Sequence, residues 1–127
     1  KNNRTKVDVD ETNNNEDQFQ FNYMPDGYEC TKIQTSDNNN QIIYDFKKNN
    51  DYIYICLQLN QNYDAYQNMD KSSYTKIINN NITYYYITGS TNKLLWYNHN
   101  IIFTISSSLN ENTMIKIAEN IKINNQK

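Results

Sequence analysis

The sequence predicts an α+β domain: an antiparallel β-sheet of about six or seven strands with one C-terminal helix packed on a face of it. Three observations predict it. β-branched and aromatic runs of strand length recur between clusters of asparagine and glycine, as in Ile82-Thr-Tyr-Tyr-Tyr-Ile-Thr88, Leu94-Leu-Trp-Tyr97 and Ile101-Ile-Phe-Thr-Ile105. Several runs alternate apolar and polar residues, the mark of a strand with one buried face. After Leu109 the spacing changes from two to about 3.6 and stays helical to Ile123.

Residues 1–20 hold charges, asparagines and only Val7 and Val9 as aliphatics, too little apolar surface to bury, and read as a flexible leader or tether. The domain is expected over 21–124, with 125–127 as a tail. Phe19, Phe21 and Tyr23 alternate and suit a short edge strand or a docking segment at its start. Met24-Pro-Asp-Gly-Tyr28 opens it, with Pro25 expected at the first central position of a turn and Gly27 supplying positive φ. Tyr28 to Thr35 and Gln41 to Lys47 flank Ser36-Asp-Asn-Asn-Asn40 as a hairpin. A turn at Lys48-Asn-Asn50 leads to a strand over 51–60, with Ile53, Ile55, Leu57 and Leu59 on its core face and Tyr52, Tyr54, Cys56 and Gln58 on the other.

Residues 61–73 show loose helical spacing without a clear cap and suit a short helix or a long irregular connection, of which a loop with about one helical turn is favoured. Strands follow at 74–78 and 82–88 through Asn79-Asn-Asn81, then at 93–97 and 101–107 through Asn98-His-Asn100. Ile101, Phe103 and Ile105 share the face that should meet the helix, and Ile102, Thr104 and Ser106 share the other. The helix is expected over 110–123. Asn110 is its N-cap, Glu111 sits in the first turn, and Leu109 can staple against Met114. Met114, Ile117, Ala118 and Ile121 form its apolar stripe. Such a stripe covers a sheet face; an amphipathic helix that binds a partner has the same pattern.

Composition limits function. With 127 residues the chain suits one domain. A net charge of -2 lacks the basic footprint of a nucleic-acid binder, and no run approaches the ~18 apolar residues of a membrane span. The chain begins at Lys1 and not Met, consistent with a fragment whose targeting or membrane segment lies upstream. Cys30, Cys56 and a single His cannot build a common structural zinc site, so no metal and no cofactor is expected. The two cysteines read as independent strand side chains; a disulfide between them requires their strands to lie side by side.

His99 reads as an exposed turn residue and Ser106-Ser-Ser108 as a strand end leading into the helix, with no G-x-S-x-G elbow. The acids from Asp8 to Asp17 lack calcium-loop spacing, Asp26 and Asp51 fall at turns, and two glycines leave no phosphate-binding fingerprint. Asn3-Arg-Thr5 and Asn81-Ile-Thr83 match a glycosylation acceptor, a chance pattern in an asparagine-rich chain. The twelve tyrosines stand out. Some substitute for other strand formers, whereas rings on the face away from the helix, Tyr85, Tyr97, Tyr52 and Tyr54, are candidates for an interaction surface.

Tyr23-Met-Pro-Asp-Gly-Tyr28, the Tyr84-Tyr-Tyr86 strand, Leu94-Leu-Trp-Tyr97, Ile101 to Ser106 and the segment Leu109 to Ile121 together resemble, in order and spacing, the domain of unknown function DUF4367. Departures are Asn110 for the usual Ser, Asn112-Thr113 for an acidic pair, and Tyr97-Asn98-His99 at a turn that is commonly acidic. The resemblance implies a curved sheet and a place outside the membrane of Gram-positive bacteria, in membrane-anchored proteins, lipoproteins or anti-sigma-factor-like proteins. It supplies no catalytic residues. The expected function is a non-enzymatic extracytoplasmic binding or sensory domain that recognises a protein or cell-envelope component and meets the membrane only through a segment outside this chain. The alternative is a carrier-like domain holding an apolar or lipid ligand between sheet and helix.

Overall fold

The computed structural model describes residues 18–124. The expected leader and tail, the acids from Asp8 to Asp17 and the Asn3-Arg-Thr5 motif lie outside these residues, apart from Gln18, Phe19 and Gln20.

Among the described residues nine strands and two helices form in the order β1 (Phe19–Phe21), β2 (Glu29–Thr35), β3 (Gln41–Lys48), β4 (Asp51–Gln58), α1 (Tyr63–Gln67), β5 (Thr75–Asn79), β6 (Ile82–Ile87), β7 (Asn92–Asn98), β8 (Ile101–Ser107), α2 (Glu111–Glu119) and β9 (Ile121–Ile123). Seven of the strands make one open sheet in the order β2-β3-β4-β8-β7-β6-β5, and β1 pairs with β9. Every pairing is antiparallel. The fold is therefore α+β, two meanders (β2 to β4 and β5 to β8) joined at the central β4–β8 pair.

Asparagine makes the turns. Asn80 and Asn81 both take positive φ, as do His99 and Asn100, so Asn79↔Ile82 and Asn98↔Ile101 are closed by two-residue turns whose twist matches the strands. His99 accepts the left-handed conformation at φ 52°, in the turn where an exposed residue was expected. In the Pro25–Tyr28 turn, Tyr28 N–H donates to Pro25 O at 3.3 Å, which puts Pro25 at the first position and Asp26 and Gly27 (φ 89°) in the centre. The expectation of Pro25 as a central residue is thus shifted by one place.

The inner face of the sheet carries the main core. Ile53, Ile55 and Leu57 of β4, Ile42 of β3, Leu94 of β7 and Ile105 of β8 are fully buried against Met114 and Ile117 of α2. Asn110 caps α2 as expected, its Oδ1 accepting Thr113 N–H at 2.9 Å. The helix ends sooner than 110–123, however. Asn120 closes it, and Ile121-Lys-Ile123 then alternates as a strand beside Phe19–Phe21. Pairing with the N-terminal strand outweighs helical continuation because Ile121 and Ile123 are β-branched and gain ladder partners. In place of Ile121 the helix buries Ile115, together with Met114, Ile117 and Ala118.

Cys30 lies on β2 and Cys56 on β4, with β3 between them, so no disulfide joins them.

Candidate functional site

Two places combine exposed chemistry with a rigid frame: the outer face of the sheet, and a cavity on the inner face beneath the end of α2.

The register puts Tyr52 and Tyr54 of β4, Tyr97 of β7 and Tyr85 of β6 on the outer face, where Tyr97 stands opposite Ile102 and Tyr85 opposite Leu95. They do not make one patch. α1 lies over part of this face and puts Tyr66, 5 % exposed, against Leu95 and Ile102. Ile102, expected on the non-core face, is accordingly as buried as the core at 2 % exposure.

Tyr66 stacks on Tyr97 at 5.3 Å and 22°, and Tyr63 meets the edge of Tyr97 at 5.5 Å. The Tyr97 hydroxyl donates to Gln61 O at 2.8 Å and lies 2.9 Å from Asn100 Oδ1. Lys71 holds the end of the helix. Its Nζ donates to Tyr66 O at 2.7 Å and Met69 O at 3.1 Å and lies 4.4 Å from the Tyr66 ring centroid and 5.5 Å from that of Tyr85. Tyr66 Oη is buried without a hydrogen-bond partner, and burial raises its pKa well above the usual phenol value, with Tyr85 and Tyr63 adding to the shift. Asn62 caps α1 through Ala65 N–H at 2.9 Å, a cap the sequence hides because asparagine is so common in it.

Tyr52 and Tyr54 stand beyond this roof. Their rings tilt together at 4.6 Å and 34°, Tyr54 is 41 % exposed, and Tyr52 Oη lies 3.4 Å from Thr91 Oγ1. Ile43 of β3 stands opposite Cys56 beside them on the same face.

The cavity, about 210 Å³, opens between strands β6 to β8 and the junction of α2 with β9. Tyr84, Trp96 and Phe103 floor it, with Trp96 stacked on Phe103 at 4.7 Å and 3° and Tyr84 edge-on to Trp96 at 5.4 Å. Ile82, Ala118, Ile121 and Ile123 complete an apolar wall, and Asn80, Asn98 and Glu119 stand at the mouth. Glu119 Oε2 accepts Asn80 Nδ2 at 2.9 Å and also the amide of Asn79. The Tyr84 phenol is pushed up to about 12, first by burial and then by the Glu119 carboxylate. The phenol is therefore neutral at physiological pH, and among the described residues Glu119 is the one charged residue in the lining.

Sequence reasoning placed Glu119 simply on the water-facing side of the helix. The available signal was an acid in the last turn, where the helix dipole favours a cation.

Ser107 Oγ accepts Leu109 N–H at 3.0 Å and shapes the approach to α2. His99 and Ser107 sit at opposite ends of β8, about 20 Å apart by strand rise, too far to cooperate. Among the described residues no group of three His, Cys, Asp or Glu side chains could hold a metal ion, and no helix is long and apolar enough to cross a membrane.

The sequence model of the family described as a domain of unknown function, DUF4367, matches residues 18–121. The chain belongs to the DUF4367 family. No match was found among curated proteins. In this DUF4367 domain the matched segment runs from the residue before β1 to the first residue of β9, and so includes the roofed outer face and all of the cavity lining named above except Ile123.

Proposed function

We propose that this DUF4367 domain is a non-enzymatic binding or sensory module held outside the cytoplasmic membrane by its full-length protein, in a membrane-anchored, lipoprotein or anti-sigma-factor-like setting. It recognises a protein or cell-envelope component through the part of the outer face that α1 leaves uncovered. The observation that carries this reading is the Tyr52–Tyr54 pair. Two tilted rings on a central strand, paired on both sides by β3 and β8, make a rigid amphipathic anchor that loses little side-chain entropy on binding. Tyr85 and Tyr97 serve instead to hold the roof, because their rings and the Tyr97 hydroxyl are engaged with Tyr66, Lys71 and Gln61.

The test is photo-crosslinking in the full-length protein in its own cells. A photoreactive residue in place of Tyr54 is expected to give one discrete adduct with an envelope component, while the same residue in place of Tyr85 gives none. Equal labelling from both positions, or none from Tyr54, defeats the reading.

A second reading, the carrier-like domain with an apolar or lipid ligand between sheet and helix, has one observation in its favour: the cavity lies between those two layers. Its volume of about 210 Å³ is below the ~300–1,000 Å³ of common ligand pockets and suits a ring or a short chain better than a lipid.

A further inference from the structure

We propose that the cavity under the end of α2 is a binding site for a small organic cation: a compact apolar body about the size of one ring, carrying an ammonium group that is received by Glu119. This inference is independent of the outer-face reading, since the cavity opens on the inner side of the sheet.

Size sets the first limit. A dry apolar cavity of about 150 Å³ accepts benzene, so about 210 Å³ has room for a ring with a short arm but not for a lipid. The lining sets the second. Tyr84, Trp96 and Phe103 offer ring surface for dispersion contacts, and Ala118 leaves the space that a larger helix residue would fill.

Charge sets the third and most selective limit. Among the described residues Glu119 is the only charged group in the lining, and the neutral Tyr84 phenol cannot offset it, so a bound anion would face an unneutralised carboxylate. An ammonium brings three donors. Glu119, Asn80 and Asn98 are the lining residues whose side chains carry strong acceptors.

The position of Glu119 is also poor for stability alone. It is the last residue of α2, where the negative end of the helix dipole opposes a carboxylate. The amides of Asn79 and Asn80 donate to its Oε2 and hold the carboxylate at the rim of the cavity. Bound there, a cation would offset both the dipole and the carboxylate.

Trp96 is the sole tryptophan of the chain and part of the cavity floor, so its fluorescence reports directly on occupancy. The experiment titrates the protein at neutral pH with benzylamine, benzyl alcohol and benzoate, which share a ring and differ in charge. Benzylamine should give a saturable change in Trp96 emission below about 10 mM, benzyl alcohol should bind at least about tenfold more weakly, and benzoate should not saturate. Glu119→Gln should bring benzylamine to the level of benzyl alcohol and leave benzyl alcohol unchanged; Glu119 is exposed, so this variant keeps the fold. Tyr54→Ala, on the opposite face, should bind benzylamine like wild type. Benzoate or benzyl alcohol binding as well as benzylamine, an unaffected Glu119→Gln variant, or no saturation with benzylamine would overturn the proposal.

Discussion

The two faces of the sheet are covered by helices of very different kinds. On the inner face α2, nine residues long, sets Met114, Ile115, Ile117 and Ala118 into an aliphatic layer in which most side chains are fully buried. On the outer face α1, five residues long, contributes one buried residue, Tyr66. Its roof is held by ring contacts and by the Lys71 ammonium on the carbonyls at the helix end. The inner layer is thus stabilised mainly by apolar burial, which is non-directional and large in sum. The outer layer depends on a few directional contacts and leaves the Tyr66 hydroxyl without a partner. Cooperative stability should follow the inner layer, and local opening should begin in the outer one.

The largest effect tests the inner layer. Ile117→Asp buries an unpaired charge at a fully buried site and should cost about 3–5 kcal/mol, a large part of the ~5–15 kcal/mol that holds a typical domain, and so lower the melting temperature sharply. Thermal melting followed by circular dichroism measures it, and a melt like wild type would remove α2 from the core.

A smaller loss is expected from Lys71→Met, which keeps the apolar stem but removes the donors to Tyr66 O and Met69 O and the cation beside the Tyr66 and Tyr85 rings. It should lower stability by about 1–2 kcal/mol. More tellingly, hydrogen exchange should quicken across 61–71 and stay slow in β4 and β8. Uniform acceleration over both layers would show that they open as one unit.

The smallest change should be a gain. Tyr66→Phe removes the unpartnered hydroxyl while keeping the stacked ring, and should stabilise by about 1 kcal/mol. It also has a pH signature. Burial raises the Tyr66 and Tyr84 phenols above the unfolded value near 10, so the folded state holds their protons longer. Their contribution is complete below pH 10 and is lost as pH rises, for Tyr84 over the window from 10 to about 12. Tyr66→Phe should therefore fall less steeply above pH 10 than wild type; an identical slope would mean that Tyr66 is not desolvated.

The inner layer was legible in the sequence because it depends on local repeats. Ile53, Ile55 and Leu57 alternate on one strand, Met114, Ile117 and Ala118 recur at helical spacing, and Asn110 marks where the helix begins. The outer roof was not legible. A five-residue helix has too few turns to show a period, and its Asn62 cap is lost among the other asparagines. Nor could the four candidate tyrosines be divided from alternation alone, since period two assigns a face but not what lies over it. The cavity was equally hidden, as Glu119, Asn80, Asn98 and Trp96 come from separate elements and meet only through strand register and the close of α2.

By itself the sequence determined the α+β class, the hairpins, the capped terminal helix, the family resemblance and the aliphatic face of the sheet. All of these follow from preferences within a few residues of one another. Only the tertiary structure decided that the terminal helix stops at Glu119 so that Ile121–Ile123 can pair with Phe19–Phe21, that α1 separates Tyr85 and Tyr97 from Tyr52 and Tyr54, and that β3 keeps Cys30 from Cys56. Those outcomes depend on which distant partner each segment gains. A strand satisfies its backbone only against another strand, and a side chain is buried only where another element covers it.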